Sequence, residues 1–138
     1  MGLTVLDAGV VIGVLDADGL HHDKSVAELA KARDRGDSVV LPASAYAEVM
    51  VGPARRGSKA EGVVRRLLDR FPIRVEPLGP QIAEAAAQLR ARHGEDLLLP
   101  DALVVATAVA LKADRLVTTD RRWPSPARLG LAKRVVVL

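Results

Sequence analysis

The sequence predicts one α/β domain over residues 1–138, with a central, mainly parallel sheet flanked by helices on both faces. Short β-rich runs alternate with helix-period runs along the whole chain, the rhythm that right-handed crossovers give a parallel sheet. At 138 residues the chain is long enough for a single core that buries ~70% of the unfolded surface. Glycines and prolines fall where that alternation needs helices to start and stop.

Residues 3–6 (Leu-Thr-Val-Leu) read as the first strand, closed by Asp7, and the apolar run 9–15 that follows reads as a buried helix. A helix is expected over 22–35, with Gly36 as its C′ residue. A strand over 38–41 stops at Pro42. Residues 43–51 read as a helix, 52–57 as a loop because they hold Gly52, Pro53 and Gly57, and 58–70 as a helix. After a strand over 73–76, Gly79-Pro80 opens a helix over 80–93 that ends at His93-Gly94. Pro100 suits the first turn of a helix over 100–112, where its missing N–H is not needed. Strands over 115–118 and 134–138 complete the order.

A hydrophobic fraction of 49% with 27% charged residues fits an ordinary globular protein. No apolar stretch approaches the ~18 residues of a membrane span, and the start lacks a basic leader, so a cytoplasmic protein without a membrane partner is expected. The absence of cysteine excludes disulfides, thiolate nucleophiles and sulfur-held zinc. The net charge of +3 is clumped at Arg55-Arg56 with Lys59, Arg65-Arg66 with Arg70, Arg121-Arg122 and Lys133-Arg134, which makes polyanions plausible partners. A solvated helix face is the simpler reading of Arg65, Arg66 and Arg70 taken alone, whereas Arg121 and Arg122 adjoin Asp120. His21, His22 and His93 show no pairing at metal spacing and read as surface residues. Glu95 and Asp96 read as loop solvation.

Four acids mark the ends or openings of apolar segments: Asp7 after the first strand, Glu48 inside the helix after the second, Asp101 at a helix start and Asp120 after Leu116-Val117-Thr118-Thr119. Singly, Asp7, Asp101 and Asp120 have a plain explanation as capping or first-turn residues. Glu48 resists it, because a carboxylate among Ala45, Ala47 and Val49 is costly to bury with no Lys or Arg within one turn. Ligands of open α/β sheets bind outside the carboxyl ends of the strands, where Asp7 and Asp120 fall. Four carboxylates drawn together repel unless a divalent cation compensates. Mg²⁺, with Mn²⁺ as the alternative, suits an all-oxygen site that keeps several waters, and the chemistry that follows is hydrolytic phosphoryl transfer.

The segments Thr4-Val5-Leu6-Asp7, Ala47-Glu48-Val49, Leu99-Pro100-Asp101-Ala102 and Thr118-Thr119-Asp120-Arg121-Arg122-Trp123 together resemble a PIN-domain nuclease, and among these the short VapC-type toxins of bacterial toxin–antitoxin pairs. The resemblance covers essentially the whole chain. It implies Asp7, Glu48, Asp101 and Asp120 as the catalytic acids, Asp7, Asp101 and Asp120 as metal ligands, and Thr118 as a supporting hydroxyl. It further implies an Mg²⁺- or Mn²⁺-dependent endoribonuclease acting on structured RNA such as tRNA or ribosomal RNA, a homodimer, and a cognate VapB-type antitoxin whose tail reaches the acidic site. Arg121 and Arg122 are the candidate RNA contacts. The family commonly has Ser two residues after its first Asp, and here Gly9 stands in that position. Only Tyr46, Phe71 and Trp123 are aromatic, so base stacking is scarce and recognition rests on phosphates and RNA shape; Trp123 reads as a core residue.

Two rivals come from other classes. An aspartate-based phosphohydrolase also places Asp after its first strand, but would want a second Asp where Gly9 stands. A catalytically silent PIN scaffold that only binds RNA or protein would not need all four acids.

Overall fold

The computed structural model describes residues 2–131 and 134–138; Lys133 and the Arg134 side chain, which make up one of the basic clumps, lie outside what it describes. Five strands, β1 (Leu3–Leu6), β2 (Ser38–Pro42), β3 (Ile73–Glu76), β4 (Arg115–Thr118) and β5 (Arg134–Val137), form one sheet in the order β3-β2-β1-β4-β5. Every pairing is parallel, with Val5 opposite Val40 on one side and Leu116 on the other. Six α-helices connect them: α1 (Ala8–Leu15), α2 (His22–Arg35), α3 (Ala43–Arg56), α4 (Ser58–Arg70), α5 (Pro80–His93) and α6 (Leu99–Ala110).

Both faces of the sheet are covered, and the central strands show why. Thr4, Val5 and Leu6, Val39 to Pro42 and Leu116 to Thr118 are buried at consecutive positions, the continuous burial of a two-faced parallel sheet rather than the alternation of a half-exposed one. The strand order reverses between β1 and β4, so their carboxyl ends splay apart and leave a crevice. At the opposite edge Asp37 ties three elements together. It accepts from Thr4 Oγ1 at 3.0 Å and Arg35 Nε at 2.9 Å, and Arg115 Nη1 lies 3.5 Å away. Burial pushes its carboxyl up, but these partners outweigh burial and hold it below the usual range.

Three expectations are corrected. Helix α3 runs through Pro53 to Arg56 where a loop was expected over 52–57. Proline lacks the N–H that would reach Val49, but Pro53 is buried, and its packing offsets the ~3 kcal/mol that an interior proline costs. Helix α3 consequently carries Arg55 and Arg56 as well as Glu48. His93 is not a surface residue. It extends the buried stripe Ile82, Ala86, Leu89 of α5, is only 7% exposed, and neither ring nitrogen has a hydrogen-bond partner among the described residues. Glu48 is exposed rather than buried, so the cost anticipated for it is not incurred in full. The arginines of the clumps at 55–56, 65–66 and 121–122 are all exposed. Among the described residues no helix is long and apolar enough to cross a membrane.

Candidate active site

The crevice between the ends of β1 and β4 collects the acids. Asp7 leaves β1 with its N–H bonded to Val117 O at 2.9 Å, a link that extends the sheet ladder by one residue. It also caps α1: Oδ1 accepts from Ala8 N at 2.8 Å, satisfying one of the orphan donors of the first turn. The second oxygen, Oδ2, accepts from Thr118 Oγ1 at 2.7 Å. That same hydroxyl oxygen accepts from Asp120 N at 3.0 Å, so one buried threonine fixes both the Asp7 side chain and the Asp120 backbone. Capping and membership of the cluster are therefore compatible roles for Asp7, which is 8% exposed.

Asp101 sits in the first turn of α6, third from its start, where the helix N-terminus favours negative charge. Its carboxyl is nevertheless pushed up to about 6, first by burial, then by the charges of Asp7, Asp120 and Glu48. The buried indole N–H of Trp123 faces it and opposes the shift, without completing a hydrogen bond of ordinary geometry. Asp7 is raised by burial above all, with Asp120 adding and the Thr118 and Ala8 hydrogen bonds subtracting. Glu48, which α3 carries to the mouth, is raised by partial burial and then by Asp7. Mutual repulsion among these groups is the physical signature of four carboxylates brought to one place.

Asp120 differs. Burial raises it, but Arg122 more than compensates and holds it below the usual range: the Arg122 N–H donates to Oδ1 at 2.8 Å, and Nε and Nη2 lie 3.2 and 3.3 Å from Oδ1 and Oδ2. Arg122 is thus a counter-ion inside the cluster, while Arg121 is exposed beside it.

Among the described residues no three acids stand close enough to enclose a cation. The donor set still fits a divalent ion: oxygen ligands only, with raised carboxyls that lack positive charge and an open crevice. Mg²⁺ is characteristically held by one or two carboxylates with waters completing its shell, and does not need an all-protein cage. Asp7, Asp101 and Asp120 are the residues able to hold it.

Two features were not legible as site residues. Glu95 and Asp96, read as loop solvation, line a cavity of about 220 Å³ with Leu98, Asp101, Asp120, Arg122 and Trp123. Trp123 packs against the core, as expected, but also walls this cavity. Only the fold brings the turn after α5 to the end of β4, so no local signal marks them.

The family model described as PIN domain matches residues 4–129. Comparison with curated protein sequences finds no match. Among solved structures, VapBC-1 from nontypeable Haemophilus influenzae superposes with a TM-score of 0.71 at 15% identity, over 98% of this chain and 97% of that one. The sarcin-ricin loop cleaving toxin VapC20 of Mycobacterium tuberculosis gives 0.70 at 15% identity, over 95% and 96%. A toxin-antitoxin complex from Klebsiella pneumoniae gives 0.63 at 21% identity, over 89% and 97%. These likenesses establish the fold.

Proposed function

Since the chain belongs to the PIN domain family, we propose that it is a metal-dependent endoribonuclease and the toxin of a toxin–antitoxin pair. The observation that carries this reading is the convergence of Asp7, Glu48, Asp101 and Asp120 on one crevice, where three of them are driven up by burial and by one another. Such a cluster is poorly stable alone and is relieved by a divalent cation, Mg²⁺ or Mn²⁺. The bound cation supplies an activated water at neutral pH and offsets charge on the phosphodiester.

The protein's own residues do the rest. Thr118 and the Ala8 N–H hold Asp7 in one orientation, with both oxygens already aimed. Asp101, whose carboxyl burial and the neighbouring acids push up to about 6 in the metal-free fold, would offer its oxygen to the cation and be relieved of that repulsion. Glu48 stands exposed at the mouth, where it reaches solvent and incoming substrate. Arg121 and Arg122 face the entrance and pair with RNA phosphates, Arg122 exchanging its exposed contact with Asp120 for one of them. Structured RNA, such as a tRNA or a ribosomal RNA loop, fits a site with one indole beside it and little else on which to stack bases. Likeness to the Klebsiella complex supports a VapB-type antitoxin as partner. A groove of about 460 Å³ between α1 and α3, lined by the apolar Ile12, Leu15, Val49 and Pro53 together with Asp16, Glu48 and Arg56, suits its tail. A homodimer is the expected assembly.

The test is incubation of purified, antitoxin-free protein with total bacterial RNA, with and without Mg²⁺ or Mn²⁺, mapping new 5′ ends against Asp7→Ala. Discrete metal-dependent cuts missing from the variant support the proposal. No cuts from a protein that binds the metal refute it in favour of a silent scaffold.

A further inference from the structure

Two unlike hollows meet at Asp120 and Arg122. One is the cavity walled by Glu95, Asp96 and Asp101, in which Glu95 and Asp96 form no ion pair among the described residues. The other is an open cleft of about 640 Å³ lined by Leu20, His21, Thr119, Asp120, Arg121 and Arg122. It sets two guanidiniums and an imidazole against one carboxylate, the reverse of the first balance. A nucleic-acid strand reaching the crevice is therefore repelled on one flank and attracted on the other. The far wall of the cleft is the connection between α1 and α2, and it is held in place. Gly19 N–H bonds Asp16 O at 3.0 Å, His22 N–H bonds Gly19 O at 3.3 Å and Ser25 N–H bonds His21 O at 2.9 Å. The His22 ring, with Nδ1 2.9 Å from Gly13 O, pins the start of α2 to α1. The neighbouring His21 ring bonds nothing among the described residues, and Arg121 has no ion pair there, whereas Arg122 is engaged by Asp120. Leu20 is 92% exposed. A free imidazole N–H, a free guanidinium and exposed aliphatic surface suit one nucleotide, with its phosphate on the donors and its ribose and base on the leucine. The volume lies within the ~300 to 1,000 Å³ of small-molecule pockets.

We propose that the connection between α1 and α2 is a substrate-positioning wall: His21 and Arg121 clasp one backbone phosphate of the RNA next to the reacting one, and Leu20 packs on the nucleotide it belongs to. The strand thus leaves the crevice over residues 16–21 and not past Glu95 and Asp96. The inference rests on the RNA-binding part of the proposed function and extends it from the arginines to a loop outside the acidic cluster.

The test is fluorescence anisotropy of a fluorescein-labelled RNA hairpin with the antitoxin-free chain in Ca²⁺, which compensates oxygen-lined sites, with intact RNA verified on a gel. His21→Ala and Arg121→Ala are each expected to weaken binding roughly 3- to 10-fold, the worth of about one hydrogen bond, at unchanged Tm. Arg121→Ala should also lower the salt slope by about 1. Because both side chains act on one phosphate, the double variant is expected to lose less than the product of the single losses. Leu20→Ser should weaken binding at an unchanged salt slope, and Glu95→Gln with Asp96→Asn should bind at least as tightly as the wild type. Unchanged affinity in His21→Ala, single losses that multiply in the double variant, or weaker binding once Glu95 and Asp96 are neutralised overturns the inference and leaves the nuclease proposal standing. Binding with the expected dependences but no cuts in Mg²⁺ or Mn²⁺ supports the inference and overturns the nuclease reading, and a wild-type chain that binds no RNA overturns both.

Discussion

Replacing Asp101 by asparagine is expected to make the metal-free protein more stable while removing its nuclease activity. In the fold the Asp101 carboxyl titrates at about 6 instead of 3.8, a rise of about 2 units. At 1.36 kcal/mol per unit this amounts to ~3 kcal/mol against the folded, ionised state, and solvent reaching a half-buried group reduces it to ~1 kcal/mol. The direction with pH follows. Below 3.8 the group is protonated in both folded and unfolded chains and carries no penalty; the penalty grows as pH rises to about 6 and is complete above it. Asparagine is never charged, so its advantage is full at pH 7.5 and gone near pH 4. For a chain of this size ~1 kcal/mol is a Tm rise of about 3 °C, read by calorimetry in chelator. Mn²⁺ at about 100 times its Kd then reverses the order, because it adds ~2.7 kcal/mol to the wild type alone. An asparagine variant less stable than wild type in chelator at pH 7.5, or equally advantaged at pH 4 and 7.5, would refute the reasoning.

Three further outcomes follow from the same geometry. Thr118→Val deprives Asp7 Oδ2 of its donor and leaves the Asp120 N–H without an acceptor, so chemical denaturation should show a loss of ~1 to 3 kcal/mol together with reduced cleavage. Arg122→Ala frees Asp120, whose carboxyl should move up toward the ordinary value by NMR titration, and the salt slope of RNA binding should fall by about 1. Asp37→Asn removes a carboxylate shared by Thr4, Arg35 and Arg115 and should cost ~2 kcal/mol at pH 7. Because Asp37 is held below 3.8 in the fold, that gap persists above 3.8 and closes as pH falls through the depressed folded value; a gap that stays constant down to pH 2 would rule out the charge as its source.

The elements were legible because each announces itself locally. Strands β1, β2 and β4 are compact runs of β-branched and aliphatic residues, and Gly36, Gly79-Pro80 and Gly94 punctuate the helices between them. Where reading failed, a distant contact had overruled a local signal. Pro53 marks a loop on its own chemistry, yet lies buried inside α3. The ring of His93 is polar, but its place eleven residues after Ile82 puts it on the inner stripe of α5. Asp7, Asp101 and Asp120 could be picked out because each adjoins a strand end or helix start, and Glu48 because it is a lone charge among apolar neighbours, whereas Glu95 and Asp96, though near Asp101 in sequence, meet Asp120 only in the fold.

The bond between Thr118 and Asp7 joins residues 111 apart in sequence. During synthesis the amino-terminal strand and its carboxylate leave the ribosome long before the strand that orients them. At ~5 to 20 residues per second the interval is roughly 6 to 22 s. Throughout it β1 can pair with β2 but not with β4, so one edge of the middle strand lies open and the crevice has a single wall. A nascent chain therefore lacks the hydroxyl that orients Asp7, and the crevice gains its second wall only when β4 has been made.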